Sequence, residues 1–173
     1  MKFLDEITEE SLDIRPAEEI LGRSFTLRKS ARSVVLNEKG EFSIQFVGKK
    51  NYYKLPGGGV EVDETIEGAL RREIQEEVGC AIAIEKELGI TIEYRTRHNL
   101  LHISYGFLAR VQGEIGESAY ERGEVDEGLT SLWFPPEKAV ALINPSQPVD
   151  DYQGKFIVRR EYAFLTEAIR MLM

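Results

Sequence analysis

Residues 58–80 read GGVEVDETIEGALRREIQEEVGC, and the reading of the whole chain turns on them. At about 100° per residue, Ile66, Leu70, Ile74 and Val78 fall on one stripe with Ala69 at its edge, the pattern of a helix packed on a core. Asp63 is the expected N-cap, Glu64 and Glu67 suit the positive helix start, and Gly79 suits the left-handed residue that ends it. Glu73, Glu76 and Glu77 fall within an arc of roughly 100° that overlaps the apolar stripe. A solvated acidic face would lie opposite, where Gly68, Arg71 and Gln75 sit. Like charges one turn apart repel by a few tenths of a kcal/mol when exposed, roughly, and by more when half-buried. Arg72 offsets one of the three. Acids crowded at a buried edge are expected to share a hard divalent cation, and Mg²⁺ is held by one or two carboxylates together with substrate phosphates.

Gly57-Gly58-Gly59 precedes this helix and lets backbone, ligand or metal approach closely. No Gly-Lys-Ser/Thr follows, so the turn is not a Walker A loop. Upstream, Ser24–Arg28 alternates, Ala31–Leu36 is apolar and β-branched, and Phe42, Ile44 and Phe46 recur with period two. Asn37–Gly40 reads as the hairpin turn between the last two, and Tyr52–Leu55 as a short strand. Downstream, Ala81–Arg95 and Leu100–Val111 read as paired strands, residues 112–128 as a polar loop, and Leu129–Phe134 as a strand. Pro135-Pro136-Glu137 opens a helix to about Ile143, and Phe156–Met173 is expected to be the last helix, with Arg159 and Arg160 solvated. Strands and helices mix without strict alternation, which predicts an α+β fold with helices on both faces of a mixed sheet. Residues 1–23 are expected to be an N-terminal arm or short helices, and residues 24–173 a single domain.

The chain has 173 residues, with 30 acidic and 22 basic side chains and a formal charge of -8. That balance argues against an electrostatic grip on duplex nucleic acid. An acidic protein that handles phosphates needs a borrowed cation. The single cysteine, Cys80, excludes an intramolecular disulfide and a multi-cysteine zinc site. No stretch is apolar enough to span a bilayer, and the acidic start lacks the apolar core of a signal peptide. A cytoplasmic location is expected.

The spacing of Gly58, Glu64, Arg72-Glu73, Ile74, Glu76-Glu77 and Gly79 resembles the signature of the Nudix hydrolases, with Cys80 in the closing aliphatic slot. The resemblance extends over roughly residues 24–145, through Trp133-Phe134 and the Pro-Pro-Glu helix start. It implies an α/β/α sandwich that hydrolyses a nucleoside diphosphate linked to a further group. It also implies that Glu73, Glu76 and Glu77, with Gly58, bind Mg²⁺ or Mn²⁺, that Arg72 orients Glu73, and that Glu64 supports the loop or a further metal. Family members differ in the general base; outside the signature Glu127 is the first candidate and Glu124 the next. Lys54 and Arg95 are candidates for substrate phosphates, as is Arg97. His98 and His102 titrate in the range of a base, although histidines in ordinary hydrogen bonds are the commoner finding. Tyr94, Tyr105, Phe107 and Trp133 are aromatic enough to stack a nucleobase, yet strand aromatics are more often core.

No proline lies between Cys80 and Phe134, whereas members that cleave ADP-ribose resemble one another in a proline some 15 residues past the signature. Nucleoside triphosphates, oxidised ones included, are therefore preferred over ADP-ribose and dinucleotide polyphosphates. A non-catalytic nucleotide-sensing module is the alternative; the intact acids count against it. Family members often form homodimers, but no segment of this sequence marks an interface.

Overall fold

The computed structural model describes residues 1–16, 22, 24–147 and 149–173. Two long strands, β5 (Ala81–Arg95) and β6 (Leu100–Gln112), form the expected antiparallel pair, with irregularities at Ile84/Lys86 and Glu87/Gly89. β6 then lies parallel to β2 (Thr26–Leu36), in register from Thr26↔Leu100 to Leu36↔Arg110. The two expected segments Ser24–Arg28 and Ala31–Leu36 are thus one continuous strand. β3 (Phe42–Val47) follows through the Asn37–Gly40 turn, where the Gly40 amide donates to the Asn37 carbonyl at 3.0 Å. β4 (Tyr52–Lys54) and β7 (Leu129–Phe134) flank β3 on either side. Among the described residues these join in one mixed seven-stranded sheet, ordered β1-β5-β6-β2-β3-β4 with β7 on β3.

The N-terminal segment departs from expectation. Phe3–Thr8 is neither helical nor loose; it is strand β1, parallel to β5 from Phe3↔Ile90 to Thr8↔Tyr94. Ile7 supplies the reason, for it is fully buried, and Asp5 on the same face pairs with Arg159 at 2.7 Å. Charged residues on an edge strand discourage pairing with another chain. A short helical turn at Glu10–Leu12 follows, in keeping with the expected short helices, and residues 17–21 and 23 of the expected arm lie outside the described residues.

Helix α1 (Ile66–Val78) covers one face of the sheet: Leu70, Ile74 and Val78 meet Ala31, Val35, Ile82, Phe107 and Ala109. Its cap is Thr65 rather than Asp63. The Thr65 hydroxyl accepts from the Gly68 amide at 3.0 Å, and Asp63 instead turns the chain at φ 65°. Gly79 closes the helix at φ 77°, as expected. Residues 112–128 are not wholly loop, since Arg122–Glu127 forms a short helix, α2. After α3 (Pro136–Leu142), helix α4 (Tyr152–Leu172) covers the opposite face. It starts one turn earlier than expected because Asp151 caps it, accepting from the Gly154 amide at 2.6 Å. Phe164, Leu165 and Ala168 pack there against Val34 and Leu108. No helix among the described residues is long and apolar enough to cross a membrane.

Candidate active site

The loop before α1 is stitched to β2. Ala31 and Ser33 donate their amides to the carbonyls of Gly58 and Pro56 at 3.0 and 3.1 Å, and Val60 donates to Lys29 at 3.0 Å. Gly57 sits in this seam at φ 125°, and a Cβ there would lie 2.2 Å from the Ala31 carbonyl oxygen. Backbone cannot yield to that contact. Gly57→Ala is therefore expected to destabilise the fold by about 2–3 kcal/mol. Gly59→Ala, whose Cβ would meet nothing closer than the Arg28 guanidinium at 3.6 Å, should cost under about 0.5 kcal/mol. Denaturant melts of the two variants check the contrast.

Under the loop, the box helix presents its acids. Glu77 is 1% exposed; its two oxygens accept from the Gly57 amide at 2.5 Å and from Lys54 Nζ at 3.1 Å. Glu73 lies against Gly58, where a Cβ would fall 2.1 Å from its carboxylate, so only glycine leaves room for that group. Arg72 is the hub of the cluster. It holds Glu64 through both carboxylate oxygens at 3.1 Å, Glu73 Oε1 at 2.9 Å and the Gly59 carbonyl at 3.0 Å. Those bonds, the Glu64 pair foremost, keep its guanidinium protonated well beyond the ordinary range. Glu76 is turned to Arg72 Nη1 at 3.2 Å.

A third acid comes from a distant part of the chain. Glu73, Glu77 and Glu124 each offer a carboxylate oxygen, and these atoms all lie within 4.8 Å of one another. Glu124 is the third residue of α2. Its Oε2 accepts from the Glu121 amide at 2.9 Å in a reciprocal capping box, which points it at the cleft. Burial, with the neighbouring Glu77 charge adding to it, pushes Glu124 up to about 7. Burial raises Glu73 as well, against the pull of Arg72. Glu73, Glu124 and the glycine loop bound a cleft of about 320 Å³ whose wall also carries Arg28, Arg32, Lys54 and Glu121, with Glu77 buried behind it.

The family model described as the NUDIX domain matches residues 26–157. This chain belongs to the Nudix family. It is 30% identical over 131 residues to the RNA pyrophosphohydrolase of Alkalilimnicola ehrlichii, covering 65% of this chain and 72% of that protein. It is 28% identical over 125 residues to diphosphoinositol polyphosphate phosphohydrolase 3-alpha of Mus musculus, covering 70% of this chain and 73% of that protein. Among solved structures, the MutT protein of Methanosarcina mazei superposes with a TM-score of 0.61 at 18% identity, over 87% of this chain and 99% of that one. The α/β/α sandwich is thus the Nudix fold, and the chain is a Nudix pyrophosphohydrolase.

Several residues singled out from the sequence stand elsewhere in this Nudix domain. Glu127, the first candidate for the base, pairs with Lys50 at 2.9 Å and is not in the acidic trio. Arg95 is not available to a phosphate: it is 5% exposed, and its Nε donates to Glu93 at 2.7 Å. Arg160 is not solvated either. It lies one helical turn from Phe156 and Phe164 on the buried stripe of α4, 1% exposed, and meets Glu93 at 2.8 Å. Arg97 donates to the Arg15 carbonyl at 3.2 Å and lies over the Tyr152 ring. His102 is buried with Nε2 at 2.9 Å from Ser30 Oγ, and burial pushes its pKa down to about 4. His98 stacks edge-on against Tyr152. Phe107 is core, Tyr105 and Trp133 pack beside it, and Tyr94 meets Phe25 edge-on.

Arg28, Arg32 and Glu121 join the cleft without having been anticipated. Their signals were present in the sequence. Arg28, Ser30 and Arg32 are polar at alternate positions of one strand, and Glu121-x-x-Glu124 has capping-box spacing.

Proposed function

We propose that this Nudix enzyme uses a divalent metal, Mg²⁺ or Mn²⁺, to hydrolyse the phosphoanhydride of a nucleoside triphosphate group, releasing the nucleoside monophosphate and pyrophosphate. The observation that carries the proposal is the convergence of Glu73, Glu77 and Glu124 oxygens within 4.8 Å beneath the glycine loop. Three hard oxygen donors suit such an ion, and the space that Gly58 leaves against Glu73 suits its approach. A bound ion would supply positive charge at the phosphate oxygens and acidify the attacking water.

The chain's own residues do the rest. Arg72 fixes Glu73 and Glu64; Lys54 and the Gly57 amide fix Glu77. Of the two later acids, Glu124 reaches the cleft and Glu127 does not, so we assign to Glu124 a place beside the ion and the proton of the attacking water. Arg28 on the cleft wall offers charge to the substrate's outer phosphates. The relative named as an RNA pyrophosphohydrolase supports a triphosphate on a nucleotide, free or at the end of a strand. The mouse relative supports placing diphosphoinositol polyphosphates in the same test.

The test is phosphate and pyrophosphate release from nucleoside triphosphates, a 5′-triphosphorylated oligoribonucleotide, a diphosphoinositol polyphosphate and ADP-ribose, with and without Mg²⁺. Metal-dependent turnover of the triphosphates is expected; turnover of ADP-ribose alone, or none, refutes the assignment. Uptake of the ion should also depend on pH. Glu124 carries a proton below about 7 in the free cluster, and that proton must leave as the ion enters. Mn²⁺ is therefore expected to bind roughly tenfold more weakly at pH 6 than at pH 8, releasing protons as it does. Equal affinity at both pH values, measured by calorimetry in two buffers, would remove Glu124 from the ion's surroundings.

A further inference from the structure

The cleft wall opens onto an unusually charged part of the core. Between α4 and the sheet, the three guanidiniums of Arg32, Arg95 and Arg160 meet only two carboxylates, Glu93 and Glu161, all nine-tenths or more buried among the described residues. Arg160 bridges the two acids, reaching Glu93 Oε1 at 2.8 Å and Glu161 Oε1 through Nε at 3.1 Å. Arg95 takes the remaining Glu93 oxygen. Arg32 is left over. Its Nε stands 3.6 Å from Glu161 Oε1, an oxygen already taken by Arg160, and Arg32 Nε and Nη1 have no hydrogen-bond partner. Enclosed guanidinium nitrogens without bonds cost about 1–3 kcal/mol in solvation by analogy with other buried donors, so a partner is to be expected. His102 does not alter the balance, because burial keeps it neutral.

Arg32 leaves β2 within the seam that ties the glycine loop down, and it lines the cleft. Glu161, then Glu77 and Glu73 beneath the glycine loop, partly offset its charge in the free protein. Once Glu73 and Glu77 are engaged by a cation, Arg32 is left with Glu161, which it shares with Arg160, and an incoming anion would supply the missing charge. We propose that Arg32 is a substrate-binding residue, its guanidinium taking a phosphate oxygen from the sheet side of the cleft while the Glu93–Arg160–Glu161 chain holds it in place. This rests on reading the cleft as a pyrophosphohydrolase site.

The test uses inorganic pyrophosphate as probe, titrated calorimetrically into Mg²⁺-saturated protein, with Mn²⁺ uptake measured separately in the absence of pyrophosphate. Arg32→Gln is expected to weaken pyrophosphate binding roughly tenfold to a hundredfold while retaining Mn²⁺ uptake. Arg32→Lys, which keeps the charge and loses the fork, should weaken it roughly threefold to tenfold and carries the test if the glutamine variant does not fold. Pyrophosphate binding within twofold of wild type in a folded variant overturns the proposal. So does a matching loss of Mn²⁺ uptake, which would make Arg32 a support for the carboxylates alone. The outcome is separable from the substrate assignment: a wild-type protein that turns over nothing in the panel, yet loses pyrophosphate binding with Arg32, refutes the activity and keeps the binding role.

Discussion

Glu77→Gln is expected to lower kcat by about 10²–10³-fold, a loss of some 3–4 kcal/mol of transition-state stabilisation. The substitution leaves the shape of the side chain and most of its packing, but one acceptor replaces two, so either Lys54 or the Gly57 amide loses its partner. What disappears is one of the three negative charges that the carboxylate trio would offer an ion. A folded protein whose Tm falls by only a few degrees, about what one unpaired buried donor costs, with turnover lost, is the expected signature, and Mn²⁺ uptake should fall in parallel. Glu127→Gln is the matched control. Its carboxylate pairs with Lys50 and is 46% exposed, so its removal should change kcat less than about twofold. A Glu77→Gln enzyme with kcat near wild type would dispose of the carboxylate trio as the catalytic centre.

Arg160→Ala is expected to be the most damaging single change to stability, by about 3–5 kcal/mol. Arg160 joins Glu93 and Glu161 in a region with almost no solvent. Against the cost of burial, the Arg160 and Arg95 guanidiniums, with the His102 ring nearby, hold Glu93 well below the usual carboxylate range. Truncation leaves two buried carboxylates facing each other with Arg95 and Arg32 as their remaining cations. For a chain of this size the loss corresponds to a Tm lowered by roughly 6–20 °C. Urea denaturation gives the free energy directly, and a loss below about 1 kcal/mol would show that water already reaches the network. The same variant should weaken pyrophosphate binding, since Arg32 loses the chain that positions it.

The local elements were readable because each rests on neighbours in sequence. The stripe of Ile66, Leu70, Ile74 and Val78 needs only the helical repeat, and Arg72 reaches Glu76 because four residues make one turn. Gly79 ends the helix by its own backbone freedom, and Asn37–Gly40 turns a hairpin without distant help. Even the crowding of Glu73 and Glu77 on the core side was visible there. Asp63 was misplaced as the cap because Thr65, two residues on, offers the same chemistry, and only the path of the preceding loop chooses between them. Residues 112–128 were read as loop because a six-residue helix carries too few turns to show a period.

What the sequence alone determined was the box helix, its acids and the hydrolase family they mark, since periodicity and spacing are properties of a single segment. The folded structure decided which distant partners those acids meet. Glu124 and Glu127 differ by less than one helical turn, yet the capping box sends one into the cleft and leaves the other with Lys50. Phe3–Thr8 became a strand because β5 offered it a free parallel edge. Arg95 and Arg160 look like surface cations when read singly; they are buried because each finds a carboxylate on a strand or helix brought beside it by the sheet order. The cost of burying a charge is settled between residues far apart in the chain, and no local pattern records it.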